Sequence, residues 1–421
     1  MKVLLIGSGG REHAIALKLK ENACLTSLFI APGNAGTADV GKNVPISEDQ
    51  IDKLFAFAKK EQIDLTIVGP ELPLVKGIVD LFRSAGLPII GPDKHAAQLE
   101  GSKQWAKKKM KDYGIPTADS EAFITFESAM AYLQEPKEYP LVIKADGLAA
   151  GKGVVISQCF EEAKLALEDC FIHSKFNDAG KTVLIESFLK GEELSIFAFC
   201  DGESIVPMIP AQDHKRIFDG DKGPNTGGMG AYSPVPIADE CLQKKVYENV
   251  FLPLQRGFKK DGIVYKGIIF AGLMVYEGEP SVIEFNARFG DPETQVVLAL
   301  LQSDLLEIFQ AIHKQRLGEL SMKWSRGAAA CVVMVAGGYP GTYENGKNIT
   351  IQPFPESTQL IVAGAKRNEK GELLSSGGRV LGLLGKSETL KEAVNKAYQA
   401  VHCVNFDGGF YRKDIGKKGL S

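Results

Sequence analysis

The chain has 421 residues, 44% of them hydrophobic and 24% charged, with a formal net charge of -3. That length exceeds what one hydrophobic core organises, so several lobes with clefts between them are expected. The near-neutral balance excludes the strongly basic face of a nucleic-acid or anionic-membrane binder and leaves small molecules as the expected partners, with no obligate protein partner evident. Seven cysteines are scattered at positions 24, 159, 170, 200, 241, 331 and 403, never as Cys-x-x-Cys. They fit a reducing cytoplasm and argue against a zinc or disulfide framework. No apolar run approaches the roughly 18 residues that would cross a bilayer. The first seven residues read as a strand, with no leader pattern.

Short apolar runs bounded by Gly or Pro at 3–6, 28–30, 65–68 and 88–90 alternate with helical patterns at 11–21, 50–61 and 74–85. This predicts a doubly wound parallel sheet, whose ligands bind beyond the carboxyl ends of the strands. Those ends carry Gly9, Gly10 and Arg11 in the first loop, Asn34 and Gly36 in the second, and Pro70 and Glu71 in the third. A dinucleotide reading loses both of its supports. Glu12 stands where the third glycine of the fingerprint belongs, and Ala31 and Pro32 replace the ribose-binding acid. A glycine turn entering a helix still suits a phosphate, so a phosphate-bearing substrate is expected there.

A charged helix at 101–110 links this domain to the next, and Lys107, Lys108 and Lys109 read as its solvated face. The expected division is 1–102 for an N-terminal substrate-binding α/β domain, 103–190 for linker helix and lid, 191–325 for the larger catalytic lobe, and 326–421 for a small, mostly β C-terminal domain. Strands are predicted at 141–144, 153–156 and 182–186 in the lid and at 193–200, 268–276 and 280–285 in the lobe. The C-terminal domain should hold strands at 328–335, 359–363 and 380–384 and a helix at 390–401.

Three stretches carry chemistry. In Lys144-Ala145-Asp146-Gly147-Leu148-Ala149-Ala150-Gly151-Lys152-Gly153 a strand ends in lysine and opens into a glycine loop. Backbone N–H groups at Gly147 and Gly151, with Lys144 and Lys152, suit phosphate oxygens. The spacing is not a Walker A loop, because Gly153 replaces Ser or Thr and a strand follows. In Glu186-Ser187-Phe188-Leu189-Lys190-Gly191-Glu192-Glu193 an extended connector leaves the lid, where backbone groups can meet an adenine edge and Glu193 a ribose. In Glu284-Phe285-Asn286-Ala287-Arg288 alternation on a strand puts two hard oxygen donors and a guanidinium on one face. Glu284 and Asn286 suit a hard cation such as Mg²⁺ that takes its other ligands from phosphates.

In this order, phosphate lysines at 103 and 144, flap, hinge and metal strand resemble the ATP-grasp superfamily of carboxylate-amine ligases. Longer stretches narrow the resemblance: Gly7-Ser8-Gly9-Gly10-Arg11-Glu12-His13-Ala14, Pro32-Gly33-Asn34-Ala35-Gly36-Thr37, Gln212-Asp213-His214-Lys215-Arg216, the glycine-rich run 220–232, and Arg288-Phe289-Gly290-Asp291-Pro292-Glu293-Thr294-Gln295. They are similar to the phosphoribosylamine-glycine ligase family along the whole chain. The resemblance implies a two-lobed ATP-grasp core and the joining of glycine to 5-phosphoribosylamine with ATP and Mg²⁺ or Mn²⁺. It further implies that Lys103, Lys144, Gly147, Gly151, Lys152, Glu186, Phe188, Leu189 and Glu193 hold ATP. Asp213, Lys215 and Arg288 would be catalytic, and the three N-terminal loops with Gly290, Asp291 and Pro292 would hold the acceptors. Arg288 would meet the glycine carboxylate or acyl phosphate and Asp213 would orient an amine. His214 is expected to be structural, and Gly227, Gly228 and Gly230 to belong to a mobile loop. One activity is expected on this chain, and a bacterial origin. A biotin-dependent carboxylase, an NAD-dependent oxidoreductase and a non-catalytic ATP-binding protein are the competing readings.

Overall fold

The computed structural model describes residues 1–148 and 153–420. Lys2–Gly7 (β1) lies between Ser27–Pro32 (β2) and Leu65–Val68 (β4), with Lys42–Asn43 (β3) and Ile89–Ile90 (β5) at the edges. All five strands are parallel, in the order β3-β2-β1-β4-β5. Val3, Leu4, Leu5 and Ile6 are all fully buried, because helices cover both faces. This explains why the strand reads as an unbroken apolar run rather than an alternation. The strand order reverses between β1 and β4, so the loops carrying Arg11 and Glu71 flank a crevice at the switch point. The helix expected at 74–85 starts earlier and divides into Glu71–Val75 and Ile78–Ser84. Gly77 between them has a φ of 88°, a left-handed turn that side chains resist.

The lid is an antiparallel sheet of Ser120–Phe123 (β6), Leu141–Ala145 (β7), Val154–Ser157 (β8) and Val183–Ser187 (β9), in the order β6-β9-β7-β8. Helices Phe126–Gln134 and Phe160–Phe171 bury Ala129, Leu133, Ala163 and Leu167 against Ile143 and Ile185, giving the lid its own core. Gly151 and Lys152, expected in the flap, lie outside the described residues.

The larger lobe is built on Glu192–Cys200 (β10), Ile205–Pro207 (β11), Gly267–Tyr276 and Glu279–Asn286, an antiparallel sheet in which the last strand forms an edge. Two short segments of this region behave unexpectedly. Gln212–Asp213 and Gly230–Ser233 join the C-terminal strands Ala328–Val335, Arg379–Ser387 and Thr358–Val362 in one five-stranded sheet. That sheet therefore crosses the division expected at 325/326, and strands this short carry no readable period. The helix Leu390–His402, capped by Thr389, buries Ala393, Ala397 and Ala400 against it.

Candidate active site

The strand Glu279–Asn286 ends beneath the lid. Its pairing with Gly267–Tyr276 shifts register after Leu273↔Val282, so Gly272 faces Glu284 and Ile283 is the extra residue. Such a bulge frees a carbonyl from the ladder. Here the Ile283 carbonyl accepts from the Lys144 Nζ at 3.3 Å, bringing the lid lysine onto the strand that carries Glu284 and Asn286. Burial would lift the Glu284 carboxyl, yet Lys215, Lys144, Lys103 and Arg288 hold it below the usual range. It is therefore an anion ringed by cations.

Lys144 and Lys107 both reach Glu186 Oε2, at 2.9 and 3.0 Å, and all three side chains are buried. Lys107 also donates to Thr117 Oγ1 at 2.7 Å and to the Ala118 carbonyl at 3.1 Å. This corrects the reading of Lys107 as part of a solvated face. Its spacing of four from Lys103, which puts both on one helix side, was the available signal. Lys108 is exposed and pairs with Asp112, whereas Lys109 bridges to Asp261. Burial lowers the Lys107 pKa, and Glu186 only partly restores it.

Lys103 opens the helix Lys103–Tyr113, whose cap is Ser102, accepting from the Trp105 N–H. Asp146 also sits at this helix start, accepting from the Gln104 N–H at 2.7 Å, where a carboxylate complements the dipole. The Lys103 Nζ donates to the Gly147 carbonyl at 3.1 Å. Phe188 and Leu189 are half-buried in the connector between β9 and β10. Glu193 forms an ion pair with Lys215, which stands 4.0 Å from Asp213. Burial lifts Asp213 to about 7. It also works against the charge on Lys215, but Asp213, Glu193 and Glu284 together hold that lysine well above its ordinary value.

Arg288 is gripped on all sides. Its Nη2 donates to Asn286 Oδ1 at 3.2 Å and pairs with Glu100 Oε1 at 3.0 Å, while Nε meets Glu71 Oε2 at 3.3 Å. Nη1 donates to the Phe289 carbonyl at 3.1 Å. Arg11 donates to the same carbonyl at 3.0 Å and pairs with Glu12 at 2.5 Å. Glu12 in turn accepts from the Gly9 N–H at 2.7 Å. The residue that broke the dinucleotide pattern thus caps the helix and holds Arg11.

Several expected binding residues serve the loops themselves. The Asn34 amide donates to the Ser8 and Val362 carbonyls and accepts from the N–H groups of Gly36 and Thr37, so its side chain is committed. A side chain at Gly36 would strike the His13 ring at 2.4 Å. Pro70 precedes and caps the helix that starts at Glu71. Gly10 lets its helix approach Gln295, which lies 3.0 Å from where a Cβ would stand. Asp291 pairs with Arg379, and Thr294 Oγ1 donates to the Gly290 carbonyl at 2.5 Å. Pro292 fills the space beside Gly228, where a Cβ would lie 2.4 Å from its ring. Gly227 donates to the Tyr339 hydroxyl at 2.9 Å and Gly230 lies in a strand, so both ends of the stretch expected to be a mobile loop are anchored here. His214 is buried with neither ring nitrogen bonded, and burial brings its pKa down to about 4.

Some buried side-chain atoms in this cluster have no hydrogen-bond partner. Glu186 Oε1 and Asn286 Nδ2 are both of this kind. Among the described residues no group of three or more His, Cys, Asp or Glu could hold a metal by itself. Glu284 and Asn286 are two hard donors beside phosphate-seeking lysines, which suits a cation that shares its ligands with a nucleotide.

Residues 1–100, 101–294 and 329–418 match, in turn, the N domain, the ATP-grasp (A) domain and the C domain of phosphoribosylglycinamide synthetase. The chain belongs to the phosphoribosylglycinamide synthetase family. The phosphoribosylamine-glycine ligase of Halalkalibacterium halodurans is 50% identical over 422 residues, covering 100% of this chain and 98% of that protein. The ligase of the same name from Escherichia coli K12 is 47% identical over 425 residues, covering 100% and 99%. A solved phosphoribosylamine-glycine ligase from Thermotoga maritima superposes with a TM-score of 0.87 at 36% identity, over 99% of this chain and 100% of that one. The biotin carboxylase domain of Hydrogenobacter thermophilus 2-oxoglutarate carboxylase shares the fold, with a TM-score of 0.76 at 16% identity over 97% and 91%. In family terms, Glu284, Asn286, Lys144 and Glu186 lie in the matched ATP-grasp region and Arg11 and Glu71 in the N domain, while Arg379 comes from the C domain. Sequence reasoning missed Arg379 and Glu100: Arg379 follows Gly377-Gly378 at the start of a strand, a turn signal that says nothing of the guanidinium's partner, and Glu100 sits in no periodic or glycine-rich motif.

Proposed function

We infer that this chain ligates glycine to 5-phosphoribosylamine, converting ATP to ADP and phosphate and forming glycinamide ribonucleotide for purine biosynthesis. The observation that carries the mechanism is the ring of Lys103, Lys144, Lys215 and Arg288 around the Glu284 carboxylate, at the seam of lid, lobe and N-terminal domain. A glycine carboxylate is a poor electrophile. Transfer of the γ-phosphoryl group gives it a leaving group, and the amine of phosphoribosylamine then attacks the acyl carbon, expelling phosphate and losing a proton. No protein nucleophile is needed, because positioning and charge carry phosphoryl transfer.

Lys103, Lys144 and the flap at 147–153 neutralise the transferring phosphoryl group. Glu186, Phe188, Leu189 and Glu193 receive adenine and ribose, the free Glu186 Oε1 supplying an acceptor. Glu284 and Asn286 would hold Mg²⁺ or Mn²⁺, which supplies charge neutralisation on the phosphates when bound. Arg288 receives the glycine carboxylate or the acyl phosphate, and Asp213 and Lys215 orient an amine. The N-terminal loops receive the ribose phosphate through the main chain and Arg11, with Glu71 and the 290–292 turn completing the acceptor side. The same reading divides the chain at 102, 190 and 325, with two strands from before 325 lent to the C-terminal sheet, and places it in the cytoplasm, where seven free thiols are at home. Its partners are then small molecules alone, without nucleic acid, membrane or obligate protein.

An ADP-release assay with glycine and freshly generated phosphoribosylamine, each omitted in turn, tests the assignment. Release should need glycine. Release that needs bicarbonate instead would overturn it.

A further inference from the structure

We propose that Glu100 is the positioning residue that sets Arg288 for acceptor binding. Glu100 belongs to the short helix Gln98–Gly101, outside every motif discussed above, and its side chain is 7% exposed. One oxygen accepts from the main-chain N–H of Ala287 at 2.7 Å, and the other pairs with Arg288 Nη2 at 3.0 Å. A single carboxylate therefore holds two consecutive residues, fixing both the path of the chain after Asn286 and the direction of the guanidinium. The remaining partners do less. Glu71 reaches only Nε, at 3.3 Å, from a side chain that is 30% exposed, and the Phe289 carbonyl and Asn286 Oδ1 belong to the same strand end as Arg288 itself.

The geometry has an energetic consequence. A free arginine side chain carries rotamer entropy that binding would have to remove. Held by Glu100 before the acceptor arrives, Arg288 has already lost most of it, so the benefit falls on acceptor affinity. ATP, which meets the lysines and the connector, should feel little of this. The inference deepens the proposed function and rests on Arg288 receiving the acceptor carboxylate.

Steady-state kinetics with glycine and ATP varied separately test it, using Glu100→Ala, Glu100→Gln and Arg288→Met in the full chain. Glu100→Ala should raise the KM for glycine by about tenfold or more, the equivalent of losing one charged hydrogen bond, with the KM for ATP within about twofold. Glu100→Gln keeps an acceptor for Ala287 and should recover part of the loss; it also serves if the alanine variant does not fold. Equal rises in both KM values, or a lower Tm with both KM values unchanged, would overturn the proposal. If Arg288→Met raises the glycine KM while neither Glu100 variant does, the Glu100 proposal alone fails. If Arg288→Met leaves it unchanged, the assignment of Arg288 fails with it.

Discussion

Arg379, from the C-terminal domain, pairs its Nη2 with Asp291 Oδ2 at 3.1 Å, while its Nη1 donates to the Gly227 carbonyl at 2.6 Å and to the carbonyl of Asp291 itself. Gln295 donates to the other Asp291 oxygen at 2.7 Å. One arginine thus joins the glycine-rich stretch to the turn at 290–292, and each Asp291 carboxylate oxygen has a partner. Burial would raise the Asp291 pKa, but Arg379 and Arg11 hold it below the usual range.

Arg379→Met should therefore leave a half-buried carboxylate without its main counter-charge. The expected loss is about 2 kcal/mol of unfolding free energy, read by urea denaturation, with a raised KM for the acceptors and a smaller change for ATP. An unchanged urea midpoint would show that Asp291 finds another partner.

Glu284→Ala removes the anion at the centre of the cation ring. Turnover should fall by about a hundredfold or more, whereas glycine binding, measured by equilibrium dialysis, should change little. Near-normal turnover would refute the metal role given to Glu284.

The Lys107–Glu186–Lys144 cluster makes a comparative prediction. Glu186→Gln leaves two buried ammonium groups without an anion, while Lys107→Met leaves the neutral pair Lys144–Glu186 intact. Unpaired buried charges cost about 3–5 kcal/mol and paired ones far less. Thermal melts should rank Glu186→Gln as clearly the less stable variant. The reverse order would mean that water reaches the lysines.

His214 should make stability depend on pH. Its folded pKa is about 4, against about 6.5 when unfolded, so the unfolded chain takes up the proton first as pH falls. Stability is complete above about pH 6.5, declines toward pH 4 and then levels, a loss of up to about 3 kcal/mol from this residue. His13 adds to the same slope: burial brings its pKa down to about 4, and its Nδ1 accepts from the Val362 N–H. Urea unfolding at pH 7 and pH 5 should show a smaller difference for His214→Phe than for the unaltered chain. Identical differences would remove His214 from the account.

Much of this molecule is legible from neighbours along the chain. The buried run at 3–6 announces a strand covered on both faces, the glycine at 147 the end of a lid strand, and the alternation of Glu284, Asn286 and Arg288 a shared face. Each of these rests on local geometry, a period of two or a backbone freedom that few residues can disguise. The fate of Lys107 is different. Its helix is predicted correctly, yet whether a lysine on it meets water or Glu186 depends on a strand about eighty residues away. The same holds for Gln212–Asp213 and Gly230–Ser233, too short to show a period, which become strands because the edge of the C-terminal sheet offers them partners. Glu100 and Arg379 act across still longer separations. Local pattern specifies which elements form and which side chains they carry, but burial and charge pairing are properties of surfaces brought together by folding, and those set which carboxylate each lysine or arginine meets.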